Sequence, residues 1–440
     1  MAPMTDYLII GSGVAGIAAV DAIRSQDQRS RIILISNERE GFYSRPGLAY
    51  YLTGELVEAD LKPFSKQIFD ELRCRCVHAE VSAIVPSQRM IQLQDGGQIP
   101  YKRLLIATGA QAARMDIPGL DSKGVVKLDN IADVRLIRKL ARRGKRAVVI
   151  GGGITALEIV EGLVANKVIT HYFLRGKRYW SNVLDVTESR IVEHRLKEEG
   201  VKIHYHTSLE RIYEKRGRIT GVRTQAGQDI KCDLLAYAIG IRPRVDLARA
   251  CGLEVDRGII VNQHQQTSQP TIFAAGDVAQ VYDPNTGNYV IDSLWGLARE
   301  QGWIAGLNMA GANQAYMRGT PFNVTRLANL TTTIVGTVGK GQDDDLHGIA
   351  RGDSEVWRQL PDAIAVQSDF EVNHIRLILG DNTLLGSIIM GDQTLSQPLR
   401  ELINNNVPIT SIREKLLEPN APLTDLIIDH WTHWKSSHAN

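Results

Sequence analysis

Short, wholly apolar runs recur along this chain, each followed by glycine and then by a helical period. Tyr7-Leu8-Ile9-Ile10 runs into Gly11-Ser12-Gly13-Val14-Ala15-Gly16, and Ile17 to Ile23 continues with a helical pattern. A second apolar run, Ile32-Ile33-Leu34-Ile35, ends at Ser36-Asn37-Glu38. About 140 residues after the first loop the arrangement returns: Ala147-Val148-Val149-Ile150 precedes Gly151-Gly152-Gly153-Ile154-Thr155-Ala156. Unbroken apolar runs of this length read as strands buried on both faces of a parallel sheet. The predicted fold is α/β, with two Rossmann-like three-layer nucleotide-binding domains and a C-terminal α/β domain.

Each loop has the residues that a pyrophosphate site needs. The first glycine permits a tight turn, the second lets the phosphates approach the backbone, and the third lets helix and strand pack closely. The N-terminus of the following helix supplies N–H donors. Glu38, at the end of the second strand, is placed to accept hydrogen bonds from ribose hydroxyls. Two loops predict two dinucleotides, in the simplest pairing one flavin and one nicotinamide with a hydride passing between them.

Two more strands belong with the first loop. Tyr101 to Ala110 ends in Ala107-Thr108-Gly109, and Thr267 to Asp277 ends in Gly276-Asp277. Small residues at a strand's carboxyl edge admit a ligand, and Asp277 can bind a polyol hydroxyl. From about residue 326 the pattern changes. His374 to Leu379 and Leu384 to Gly391 predict a hairpin, and a helix is expected over 399–405, with Pro398 suited to its first turn.

Composition narrows the picture. A chain of 440 residues exceeds one ordinary domain. Its net charge of +2 gives no electrostatic case for nucleic acid. No apolar run approaches the ~18 residues of a membrane span. The first strand begins so early that no signal or transit peptide is expected. Four cysteines do not form a disulfide framework, so a cytoplasmic protein is predicted.

The four motifs, taken in order, resemble the flavoprotein pyridine-nucleotide-disulfide reductase superfamily over residues 6 to about 310. The resemblance implies FAD at the first loop, with Asp277 on its ribityl chain, and NAD(P)H at the second. It implies an FAD domain over 1–115 and 241–325, an NAD(P)H domain over 116–240, and an interface-like domain over 326–440. Gly41 to Tyr51, where most branches carry a redox cysteine, has none. Tyr43-Ser44-Arg45-Pro46 instead resembles the Tyr-x-Arg-Pro segment of the cysteine-free branch, which includes rubredoxin and ferredoxin reductases and the flavin half of nitrite reductase. Arg45 and Pro46 would lie against the FAD. Many members carry a lysine near position 50, where this chain has Tyr50.

Further residues follow from the resemblance. Trp295 to Gly302 matches a W-x-x-A-x-x-Q-G helix aimed at the isoalloxazine, with Ala298 in contact and Trp295 as cover or electron exit. Glu158 would lie near the nicotinamide. Val81 and Gly240 complete the expected cofactor-binding set with Gly11, Ser12, Gly13, Val14, Ala15, Gly16, Ala107, Gly276, Gly151, Gly153, Ile154 and Thr155. Leu174 stands where an acid would select NADH, and Arg175, Lys177 and Arg178 follow it. With Ala156 as third loop residue, this favours NADPH over NADH, Arg175 and Arg178 binding the 2′-phosphate.

The expected activity is an FAD-dependent NAD(P)H oxidoreductase that passes electrons to a rubredoxin or ferredoxin, with the protein a monomer or homodimer. The alternatives are a flavin subunit needing a partner subunit, a quinone reductase, or a slowly turning NAD(P)H sensor. Cys74 and Cys76 read as small buried fillers. The segment Arg135 to Arg146 reads as a solvated helix face or, alternatively, a docking patch. The His430/His433/His438 tail reads as a docking or frayed segment rather than a metal site.

Overall fold

A computed structural model describes residues 4–64, 66–284, 287–338, 364–370, 373–418 and 421–438. The apolar runs become the central strands of two parallel sheets. In the first sheet, Thr5–Ile10 lies between Ile32–Ser36 and Gln98–Ile106. Cys74–His78 extends one side in parallel, and Ile272–Ala274 pairs in parallel with Gln98–Ile106. Leu8 and Ile9 are fully buried, because the sheet is covered on both faces. Burying each such side chain is worth about 1.5–3 kcal/mol.

The second sheet repeats the plan. Arg146–Ile150 lies between Ile169–Phe173 and Leu234–Tyr237, with Lys202–His204 and Val125–Val126 at the edges. An antiparallel meander of Leu209–Lys215, Arg218–Thr224 and Asp229–Lys231 packs on one face, its Ile212 and Val222 meeting Val148 and Phe173. The two sheets are joined by a pair of crossing segments, Ala110–Ala112 and Ile241–Pro243, hydrogen-bonded to each other as antiparallel strands.

Glycine sets how closely the helices approach. The helix Val14–Gln26 lies against Trp295–Met309. A Cβ on Gly302 would strike the backbone of Ala15, and one on Gly306 the backbone of Ala19. The two axes therefore meet at backbone distance, which fixes the start of the second helix over the first glycine loop.

The third unit is a five-stranded antiparallel sheet in the order Phe322–Leu327, Leu330–Gly336, Leu384–Met390, Asn373–Leu379, Ile364–Phe370. The expected hairpin is present, and the expected helix runs over Ser396–Asn404. The tail is not frayed: Leu423–His438 is a helix with Leu423 and Ile427 buried, and Trp431 donates to Glu401 at 2.8 Å. Cys74 is buried as expected, but Cys76, two residues along the edge strand, is exposed.

A buried ion cluster ties this unit to the second sheet's helix Val186–Glu198. Arg376 reaches both carboxylate oxygens of Glu188, Nε to Oε1 at 2.8 Å and Nη2 to Oε2 at 3.0 Å. It also donates to the carbonyls of Val183 and Val338. His374 Nε2 lies 3.2 Å from Glu188 Oε1. Burial alone would raise the Glu188 carboxyl; Arg376 and His374 hold it below its ordinary value.

A histidine pair joins Ile169–Phe173 to Lys202–His204. His171 Nδ1 and His204 Nε2 are 3.0 Å apart, with stacked rings. Burial, then the neighbouring His204, pushes His171 down to about 4, and burial lowers His204 as well. Both imidazoles therefore take up protons more readily in the unfolded chain. The stability they lend is present above about pH 6.5 and lost as pH falls towards 4. We expect His171→Gln to flatten this acid loss by about 1 kcal/mol, solvent screening included. A thermal melt series between pH 7 and 4 checks it; an unchanged acid limb would remove the pair from the explanation.

Candidate cofactor site

The first glycine loop turns at Gly11, whose φ of +113° is open to glycine and whose Cβ would collide with the carbonyl of Ala107. Gly16 closes against Gly11 in the same way, whereas a Cβ on Gly13 would meet nothing within 4 Å. Gly13 thus presents bare backbone to open space at a helix N-terminus. The second loop repeats the device: Gly151, at φ +144°, is pressed against the carbonyl of Ala238, and Gly152 and Gly153 face open space.

A cavity of about 530 Å³ runs from the first loop to the second helix, within the ordinary size of a ligand pocket. Of the residues named from the sequence, Gly11, Ser12, Gly13, Val14, Ala15, Glu38, Arg45, Val81, Ala107, Thr108 and Gly109 line it. Gly276, Asp277 and Ala298 line it as well, and Thr155 and Glu158 reach it from the second loop's helix. Gly16 and Pro46 stand behind the wall; Pro46 caps the helix Gly47–Thr53. Gly151, Gly153 and Ile154 form the second loop outside this cavity, and Gly240, at φ +118°, begins the crossing back to the first sheet. Trp295 opens its helix at the surface, 46% exposed, one turn before Ala298.

The polar groups converge at two places. Glu38 accepts from Tyr43 Oη at 2.7 Å and pairs with Arg45 at 2.6 Å. Arg45 also donates to the carbonyl of Asp129 at 2.6 Å. On the cavity floor, burial pushes the Asp277 carboxyl up to about 6, with Arg45 and its own backbone N–H acting against the rise. A carboxylate lining the cavity with no cation in contact among the described residues suits neutral hydroxyl donors. Glycine cradle, acid at the second strand end and inward carboxylate together fit a flavin dinucleotide. Among the described residues no cysteine lines the cavity.

Sequence reasoning missed Arg244 and Asp129, which also line it. Arg244 Nη2 meets Asp129 Oδ2 at 3.3 Å, while its Nε donates to Ala110. They come from the crossing segment and from the loop before the helix Ile131–Leu140, joined across 115 positions, so no local motif marks them.

One expectation is corrected. Arg178 is 8% exposed, and its guanidinium donates to the carbonyls of Ser181 and Leu184 at 2.9 and 3.1 Å. It is folded under its own loop and does not present a phosphate-binding fork. Arg175 and Lys177 remain exposed on that loop, and Leu174 is buried. Within the basic segment, Arg135 is bound to Glu40 and Glu58, both at 2.6 Å, which makes it a clamp to the first unit.

Among the described residues no helix is long and apolar enough to cross a membrane. Residues 5–302 match the family model for pyridine nucleotide-disulphide oxidoreductases. The chain is 30% identical to the ferredoxin–NAD(+) reductase component of the anthranilate 1,2-dioxygenase system of Burkholderia cepacia, covering 80% of this chain and 87% of that one. It resembles the crystal structure of the ferredoxin reductase for the CYP199A2 system from Rhodopseudomonas palustris, with TM-score 0.85 and 24% identity over 97% of this chain and 100% of that one. It also resembles an engineered water-forming NADPH oxidase bound to NADPH, with TM-score 0.79 and 21% identity over 99% and 100% of the two chains. With this fold, the paired glycine loops and the family match over most of its length, the chain belongs to the pyridine nucleotide-disulphide oxidoreductase family and is an FAD- and NAD(P)H-dependent oxidoreductase.

Proposed function

We propose that this protein moves reducing equivalents from NADPH through FAD to a separate one-electron carrier of the ferredoxin or rubredoxin kind, in the cytoplasm. One observation carries the reading: a single cavity is lined by the first glycine loop and by Thr155 and Glu158 of the second loop's helix, with no cysteine on its wall among the described residues. Bound FAD supplies the switch between a two-electron donor and one-electron acceptors. The chain's own residues bind and orient. Gly11 to Gly16 and the helix N-terminus hold the pyrophosphate, Glu38 the ribose, Asp277 the ribityl hydroxyls, and Glu158 the nicotinamide side. Arg45 spans the middle, and Ala298 closes the far end, with Trp295 offering a surface route outward. The division into 1–115 with 241–325, 116–240 and 326–440 belongs to the same proposal, supported by the return of Ile272–Ala274 to the first sheet.

The choice of NADPH rests on Ala156, Leu174 and Arg175. The engineered NADPH oxidase carries a glycine-to-alanine change and, eighteen residues on, an aspartate-to-alanine change followed directly by alanine-to-arginine. Ala156 and Arg175 repeat two of these residues at the same spacing and Leu174 is apolar at the third, while Gly176 and Ser181 stand where that protein carries an introduced serine and a second arginine. We expect Arg175→Ala to raise KM for NADPH about tenfold, through loss of a charge-assisted bond, and to leave KM for NADH near its starting value. Steady-state kinetics with both coenzymes decides; equal effects on the two would refute the assignment.

The whole reading is tested by anaerobic stopped-flow reduction with NADPH and NADH, followed by addition of an oxidised ferredoxin or rubredoxin. Rapid bleaching of the flavin band and its rapid return on mixing with the carrier are expected. Bleaching over minutes, or no return, would overturn the carrier reductase.

A further inference from the structure

With Arg178 turned inward, a 2′-phosphate at this site is left with fewer cations than the sequence counts. A phosphate monoester offers three acceptor oxygens, more than the fork of Arg175 satisfies, with Lys177 the other exposed cation of the loop. The next group is supplied by the neighbouring strand. Ile169–Phe173 and Lys202–His204 run in parallel, with Phe173 opposite His204. Beyond their carboxyl ends the two chains stay zipped: Leu174 N–H donates to His204 O at 2.9 Å, Thr207 N–H to Leu174 O at 3.0 Å, and His206 N–H to Gly176 O at 3.1 Å. His206 is thereby fixed against the residue that follows Arg175. It is exposed, and its backbone is left-handed at φ +49°. Dinucleotides lie outside the carboxyl ends of such strands.

We propose that His206 is the second side chain, with Arg175, that binds the 2′-phosphate of the coenzyme. The inference deepens the NADPH reading and rests on it. An imidazole 31 positions away in sequence does in space what Arg178 was expected to do. It donates a ring N–H to a phosphate oxygen, while Arg175 offers a paired fork. Coenzyme preference in this chain therefore comes from two strand ends rather than from one loop.

Calorimetric titration of the flavin-loaded protein with 2′,5′-ADP and with ADP tests this without turnover. The wild-type protein should bind 2′,5′-ADP at least tenfold more tightly; no preference would overturn the NADPH reading itself. His206→Asn keeps a residue that tolerates the left-handed backbone and removes the ring. It should weaken 2′,5′-ADP five- to tenfold and leave ADP unchanged. His206→Arg should restore the preference. A wild-type preference that survives intact in His206→Asn would overturn the role of His206 alone. Equal weakening of both nucleotides, unrelieved in His206→Arg, would show a structural part only and overturn it too.

Discussion

Replacing Arg376 with alanine is expected to cost the folded protein about 3–5 kcal/mol, the usual penalty for removing one partner of a buried ion pair. Glu188 has no exposed surface, and both its oxygens face the guanidinium. Without Arg376 its charge would stay buried beside His374, and the carbonyls of Val183 and Val338 would lose their donor. The damage should appear at the contact between the third unit and the helix Val186–Glu198. Hydrogen exchange there should rise while the first glycine loop stays protected. The double variant Glu188→Gln with Arg376→Met should recover much of the loss, since the expensive species is the unpaired charge rather than the missing bond. Chemical denaturation of the three proteins measures this. A loss below 1 kcal/mol for Arg376→Ala would mean that the cluster contributes nothing beyond its packing.

Asp277→Asn should act in opposite directions on the apoprotein and on flavin retention. The carboxyl sits near 6 in the fold and at about 3.8 when exposed, so the folded apoprotein holds its proton more tightly than the unfolded chain does. That favourable contribution is complete below about pH 4 and is lost as pH rises through 6. At pH 7 the apoprotein bears a half-buried charge, and removing it should stabilise the apoprotein by on the order of 1–2 kcal/mol, with no gain at pH 4. The same change takes away an ionised acceptor from the flavin's hydroxyls, worth roughly 1.5–3 kcal/mol, so FAD should bind at least tenfold more weakly. Thermal melts of the apoprotein and fluorescence of released flavin read the two effects separately. Full flavin retention in Asp277→Asn would refute the hydroxyl-binding role.

The parts legible in the sequence are those whose cause is local. A run such as Val148-Val149-Ile150 before three glycines has few ways to fold, and the glycines follow from turns that other residues cannot make. The helix Leu423–His438 is a miss: Leu423, Ile427, Trp431 and Trp434 keep a helical period, although the sequence reading takes the tail as a docking or frayed segment. Arg178 could not be read correctly, because the direction of a long side chain depends on carbonyls that only the folded loop presents. Arg376 and Glu188 lie 188 positions apart, and Arg244 and Asp129 lie 115 apart. Neither pair is announced by its surroundings, since an arginine in a strand and a glutamate in a helix are ordinary until the fold puts them together.

The hydrogen-bonded crossing segments Ala110–Ala112 and Ile241–Pro243 have an entropic consequence. The chain leaves the first sheet and re-enters it at neighbouring points, so the intervening unit closes on itself like the lobe of a hairpin. For the host sheet, the closure cost of such an excursion grows only logarithmically with its length. The second unit folds with its two ends already hydrogen-bonded to each other, so its insertion asks little closure entropy of the first sheet. A lineage could lengthen, shorten or exchange that unit without redesigning the sheet that hosts it.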